Sequence, residues 1–132
     1  MSEVSIQELF QAAQNATDSA YAPYSGYKVG AALLCSDGIV FTGCNVENAS
    51  YSLTICAERN AIFKAVSEGK QDFVAIAIFV DAETLFPPCG ACRQVVAEFN
   101  PRMQVVYGNR IKQVSTDIEV LLPQAFTLDA HV

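Results

Sequence analysis

Phe73-Val74-Ala75-Ile76-Ala77-Ile78-Phe79-Val80 runs for eight residues without a polar side chain. A strand with one face in water alternates polar and apolar residues, so an unbroken run predicts a central strand covered on both sides. On either side of it the period changes. Upstream, Ala57, Ala61, Ile62, Ala65 and Val66 recur on one side of a helix, with Gly69 as its stop. Downstream, Cys89 to Phe99 reads as a second helix, closed by Asn100-Pro101. Both helices are expected to be crossovers, which make the strands they join parallel.

Further out, the signals are those of hairpins. Val29 to Cys35 and Ile39 to Val46 are β-rich and separated by Ser36-Asp37-Gly38, whose Asp-Gly step favours a tight turn. Met103 to Tyr107 is expected to pair with Ile111 to Ser115 across Gly108-Asn109-Arg110. Ser5-Ile6-Gln7-Glu8 has capping-box spacing and opens a helix expected to reach about Tyr21, before Ala22-Pro23-Tyr24-Ser25-Gly26 breaks it. Thr116-Asp117-Ile118-Glu119 has the same spacing and opens a short helix that Pro123 ends. The order α-β-β-α-β-α-β-β-α predicts an α/β fold: a three-layer α-β-α sandwich around a mixed five-stranded sheet, one domain over residues 1–132.

Composition narrows the function. With 52% hydrophobic and 17% charged residues, the chain lacks the polarity that keeps disordered segments open. No apolar run approaches the ~20 residues that span a bilayer. The first fifteen residues carry Glu3 and Glu8 and no basic residue, the wrong charge for a signal peptide, so the expected location is cytoplasmic with no membrane partner. The net charge is −6 and the eight basic residues are scattered, which argues against a nucleic acid polymer as partner. Five cysteines, an odd number, point to free thiols, metal ligands or a catalytic sulfur rather than a disulfide framework.

Cys56-Ala57-Glu58 and Pro88-Cys89-Gly90-Ala91-Cys92 each follow a strand-like segment and open a helix. Cysteines at i and i+3 of a helix start project to one side, so Cys89 and Cys92 can chelate one ion while Cys56 supplies a third sulfur. Three protein ligands leave a position for water, as catalytic rather than structural zinc sites do. Three thiolates on Zn²⁺ sum to a net −1, which two helix N-termini and a donor such as Arg59 would offset. Glu58 is badly spaced to be a fourth ligand but well placed to carry a proton to and from the metal's water.

Competing readings exist for each residue. Cys-x-x-Cys alone also suits a redox pair, and Glu58 and Arg59 alone would read as exposed helix charges. A zinc-stabilised structural module would need neither an open coordination position nor Glu58. Cys35 and Cys44 read as small buried hydrophobes in strands. His131 is the only histidine and reads as solvated, which leaves no Ser-His or Cys-His catalysis available.

Cys56-Ala57-Glu58-Arg59 and Pro88-Cys89-Gly90-Ala91-Cys92-Arg93-Gln94 resemble the zinc-binding motifs of the cytidine deaminases, of the short homotetrameric type with three cysteine ligands. The resemblance extends from Tyr21-Ala22-Pro23-Tyr24-Ser25 through the segment Gly43 to Tyr51 to Leu121-Leu122-Pro123-Gln124-Ala125-Phe126. It implies one Zn²⁺ per chain and hydrolytic deamination of cytidine and deoxycytidine to uridine and deoxyuridine, with attack of zinc-bound hydroxide at C4 and release of ammonia. Pyrimidine salvage is the implied setting. The rival on the same scaffold is a deaminase of a related aminopyrimidine nucleoside. The resemblance also implies that Tyr27 lies beside the nucleoside and that Asn45 and Glu47 bond the ribose hydroxyls. Phe126 is implied to close over the pyrimidine from a neighbouring subunit. Positions 45 and 47 would face the same way on a strand, and an amide with an acceptor suits a diol. Phe86-Pro87 and Asn60 depart from the family's usual residues.

Overall fold

The computed structural model describes residues 4–128. The chain runs α1 (Ile6–Ala16), β1 (Val29–Cys35), β2 (Val40–Cys44), α2 (Ala57–Ser67), β3 (Phe73–Val80), α3 (Gly90–Phe99), β4 (Gln104–Gly108), β5 (Gln113–Asp117) and α4 (Ile118–Leu121). One sheet has the order β2-β1-β3-β4-β5; β3 and β4 are parallel and every other neighbouring pair is antiparallel. The parallel relation expected across α3 therefore joins neighbours. Across α2 it holds in direction only, because β1 lies between β2 and β3 and runs against both.

The apolar run is the middle strand, and its two faces feed two cores. Ile76 and Ile78 pack with Ala31 and Leu33 against Ala61 and Ile62 of α2, whereas Ala75, Ala77 and Phe79 pack with Ala32 against Leu9, Phe10 and Ala13 of α1. This is the three-layer arrangement. Each large aliphatic or aromatic side chain buried in this way stabilises the fold by ~1.5–3 kcal/mol.

Backbone chemistry decides the ends of the elements. Ser5 forms the expected capping box, its hydroxyl accepting from Glu8 N–H while its own N–H donates to Glu8. The helix stops at Ala16 rather than near Tyr21, because Thr17–Ser19 tighten into a 3-10 turn and the Thr17 hydroxyl takes up the Gln14 carbonyl. At the other end, β5 begins two residues later than expected and the helix cap moves to Asp117, whose carboxylate accepts from Val120 N–H. Asn109 causes the shift. Its Oδ1 accepts from the amides of Ile111 and Lys112, holding those residues in the turn, and its amide donates to the carbonyls of Ala82 and Glu83.

β2 and β3 point the same way, so the segments leaving their C-terminal ends, residues 45–56 and 81–89, meet at one edge of the sheet, where α2 and α3 begin. Crevices of α/β sheets form at such edges. Gly43 brings α2 flush onto β2: a Cβ there would lie 2.5 Å from Ala61 N and 2.7 Å from the Ala57 carbonyl oxygen. Among the described residues no helix is long and apolar enough to cross a membrane.

Candidate active site

Cys56 occupies the N-cap of α2 and Cys89 the N-cap of α3, with Cys92 buried in the first turn of α3. Their sulfurs lie within 4.8 Å of one another, and Cys56 and Cys89 are 3.7 Å apart. Four-coordinate zinc with Zn–S bonds of ~2.3 Å separates its sulfurs by about 3.8 Å. The spacing therefore fits one tetrahedral ion and is far beyond the ~2.05 Å of a disulfide. Cys35 and Cys44 lie in β1 and β2, outside the cluster.

The cluster is built for anionic sulfur. Hydrogen bonds from Cys92 and then Arg59 pull the Cys56 thiol well below the ordinary cysteine range, against the opposing effect of burial. The same bond, with burial, pushes Cys92 up. Arg59 Nη2 donates to Cys56 Sγ at 3.2 Å, which raises the guanidinium further. Its Nε is buried without a partner, a donor that additional anionic sulfur would satisfy. Two helix N-termini add positive potential at the same place. The donor set and its surroundings suit Zn²⁺.

Glu58, in the first turn of α2, is 4% exposed, and burial pushes its carboxyl up to about 7. It lines a cleft of about 310 Å³ with Cys56, Asn45, Glu47, Tyr27 and Phe86. The Tyr27 and Phe86 rings meet edge to face with centroids 5.0 Å apart. Pro87 and Pro88 also line the cleft, so the departure from the family's residues at 86 and 87 falls on its wall.

The strand expected to reach Val46 ends at Cys44, yet its alternation persists. Val46 bridges to Tyr21 on one side and Ile55 on the other, so Asn45 and Glu47 are buried while Val46 is exposed. Asn45 Oδ1 accepts from Val29 N–H and its amide donates to the Tyr27 carbonyl. Glu47 accepts from the amides of Tyr24 and Ser25 and from the Ser25 hydroxyl. Those bonds, that of the Ser25 hydroxyl above all, hold its carboxyl below the ordinary glutamate range. A carboxylate offers roughly four lone-pair directions and a primary amide two N–H groups, so each residue keeps about one contact for a ligand.

Phe126 is 72% exposed and lies outside this chain's own cleft. His131 is outside the described residues. The Asn60 amide donates to the Cys44 carbonyl, a second tie of α2 to β2 beside Gly43. Ser25, Arg93 and Gln94 were not singled out from sequence. Ser25 sits in a turn-rich stretch where serines are ordinary; Arg93 bonds the nearby Pro88 carbonyl, but its bond to Leu121 and that of Gln94 to Phe126 reach backbone groups remote in the chain, which no local spacing reveals.

Residues 3–109 match the family model described as the cytidine and deoxycytidylate deaminase zinc-binding region. The chain is 53% identical over 125 residues to a cytidine deaminase of Halalkalibacterium halodurans, covering 93% of this chain and 95% of that protein. It superposes on the crystal structure of the Burkholderia pseudomallei cytidine deaminase with a TM-score of 0.88 and 48% identity, covering 92% of this chain and 99% of that one. For the Mycobacterium tuberculosis cytidine deaminase the TM-score is 0.82 at 39% identity, covering 96% and 100% of the two chains.

Proposed function

The chain belongs to the zinc-dependent cytidine deaminase family, and from that premise we propose how its residues convert cytidine, and with it deoxycytidine, to uridine and deoxyuridine. The reaction adds water across C4, breaks the C4–N4 bond and releases ammonia, leaving a carbonyl at C4. Cys56, Cys89 and Cys92 would hold Zn²⁺, which when bound would supply the Lewis acidity for activating water at neutral pH. Glu58 takes one proton from the attacking water and delivers it to N3; after addition at C4 it takes the remaining proton from the C4 hydroxyl and passes it to the departing amine, so that ammonia leaves as the C4 carbonyl forms. Burial supports this role, since a carboxyl near 7 both accepts and gives up a proton at the working pH.

Asn45 and Glu47 orient the ribose with the one contact each has left, while Tyr27 flanks the base. Arg59 keeps the sulfurs' charge from rising unopposed. Phe126 reaches a neighbouring subunit's cleft within a homotetramer. A cytoplasmic location and a part in pyrimidine salvage belong to the same reading.

The observation that carries the proposal is a buried carboxyl in a nucleoside-sized cleft beside three clustered sulfurs. Its test is loss of cytidine absorbance with stoichiometric ammonia release, before and after chelation of the metal. Metal analysis of single variants completes it: zinc should be lost in Cys56→Ala, Cys89→Ala and Cys92→Ala and kept in Cys35→Ala and Cys44→Ala. Full zinc retention in Cys56→Ala would sink the ligand assignment.

A further inference from the structure

Phe126 presents its ring to solvent while its backbone is firmly held. Gln94 Nε2 donates to the Phe126 carbonyl at 2.8 Å, and Gln94 Oε1 accepts from the Phe126 N–H at 3.1 Å. One side-chain amide thus takes both polar groups of the residue's backbone, as a neighbouring strand would. Arg93, one position earlier, donates from Nε to the Pro88 carbonyl at 2.8 Å and from Nη1 to the Leu121 carbonyl at 2.9 Å. Both side chains follow Cys92 directly, on the helix that carries two of the three clustered sulfurs. That helix therefore holds the backbone just before Cys89 together with two points of the C-terminal segment. Burial does not account for the hold on Phe126, because its ring and the side chains of its neighbours Thr127 and Leu128 are all exposed.

We propose that Gln94 is a positioning residue that sets the reach of Phe126 toward a neighbouring subunit's cleft, so that α3 of one chain organises both its own sulfur cluster and the closure of another chain's site. The proposal rests on the reading of Phe126 as the ring that covers a neighbour's substrate. An unclamped segment would have to be ordered each time substrate is covered, which weakens binding more than turnover.

The test uses the zinc-loaded enzyme and compares Gln94→Ala, Phe126→Ala and the double variant. Gln94→Ala should keep its zinc and its assembled mass by light scattering and raise KM for cytidine roughly five- to tenfold, the scale of one or two lost hydrogen bonds. Its kcat should change by less than about twofold. Phe126→Ala should raise KM at least as much, and the double variant should be no worse than Phe126→Ala, since without the ring the clamp has nothing to aim. Additive effects, or a normal KM in Gln94→Ala beside an impaired Phe126→Ala, would overturn the clamp while leaving the role of Phe126 standing. A normal KM in Phe126→Ala would overturn the reading on which the proposal rests. Should Gln94→Ala fold poorly, Gln94→Glu keeps an acceptor for the Phe126 N–H but sets a carboxylate against the carbonyl. The same rise in KM is expected there, and an unchanged KM counts against the clamp.

Discussion

Burial resists ionisation of Glu58, and that resistance suits the proton carrier proposed for it. Replacing it tests the role cleanly: Glu58→Gln preserves shape and the sulfur cluster but cannot move a proton. The variant should retain zinc and the thermal unfolding profile of the wild type while losing about 10²–10⁴-fold in kcat. Near-normal turnover would remove Glu58 from the mechanism. Glu47 is the opposite case, a carboxyl drawn below its usual range by the Ser25 hydroxyl first and by two backbone amides. A depressed folded value adds stability that is complete above the unfolded value of ~4.3 and disappears as pH falls through the folded one. The stability gap between wild type and Glu47→Gln, measured by denaturant titration, should therefore be constant near neutrality and shrink below about pH 4. A gap that does not change through this acid range would mean that Glu47 gains nothing from its three donors. At this scale the sulfur cluster was legible because cysteine spacing at helix starts is local. The double commitment of Asn45 and Glu47 to the Tyr24–Val29 backbone was not, since nothing in a sequence shows which amides a buried side chain must satisfy.

At the scale of elements, the periodicity of long segments located β3 to the residue and both crossover helices to within a position or two. What it missed were ends decided by single hydrogen bonds: the Thr17 hydroxyl that tightens the close of α1, and the Asn109 side chain that delays β5. Sheet order was also hidden, because a hairpin and a crossover fix direction without saying which strand lies between. The contact between α2 and β2 matters most for the site, since α2 carries Cys56 and Glu58. Gly43 permits that contact, and a methyl there would meet backbone atoms that cannot turn aside. Gly43→Ala should destabilise the fold by about 1–3 kcal/mol and lift α2, lowering kcat as well. Its midpoint in urea and its turnover should fall together. A destabilised but fully active variant, or one equal to wild type in both, would show that the close approach does not set the position of Glu58.

At the scale of the whole molecule, the apolar surface has not all been hidden. Tyr21 and Tyr24 are exposed in the segment before β1, and Val46, Tyr51 and Leu53 in the segment after β2, two segments that also supply residues to the cleft. Phe126 and Leu128 are exposed on the C-terminal segment. Grouped apolar exposure of this kind marks a surface that meets another chain. Composition alone signalled the excess, at 52% hydrophobic residues in 132, without saying where it would gather. In a closed assembly the patch around one cleft can receive the C-terminal segment of another chain, which buries both and completes the site. If the chain forms the proposed tetramer, activity should follow association: across a dilution series, specific activity should fall over the same concentrations at which light scattering reports dissociation. Phe126→Ala should lower activity at every concentration, including those where the tetramer is intact. A dissociated chain with full specific activity would defeat the shared site while leaving the zinc chemistry untouched, because the sulfurs, Glu58 and the cleft all come from one chain.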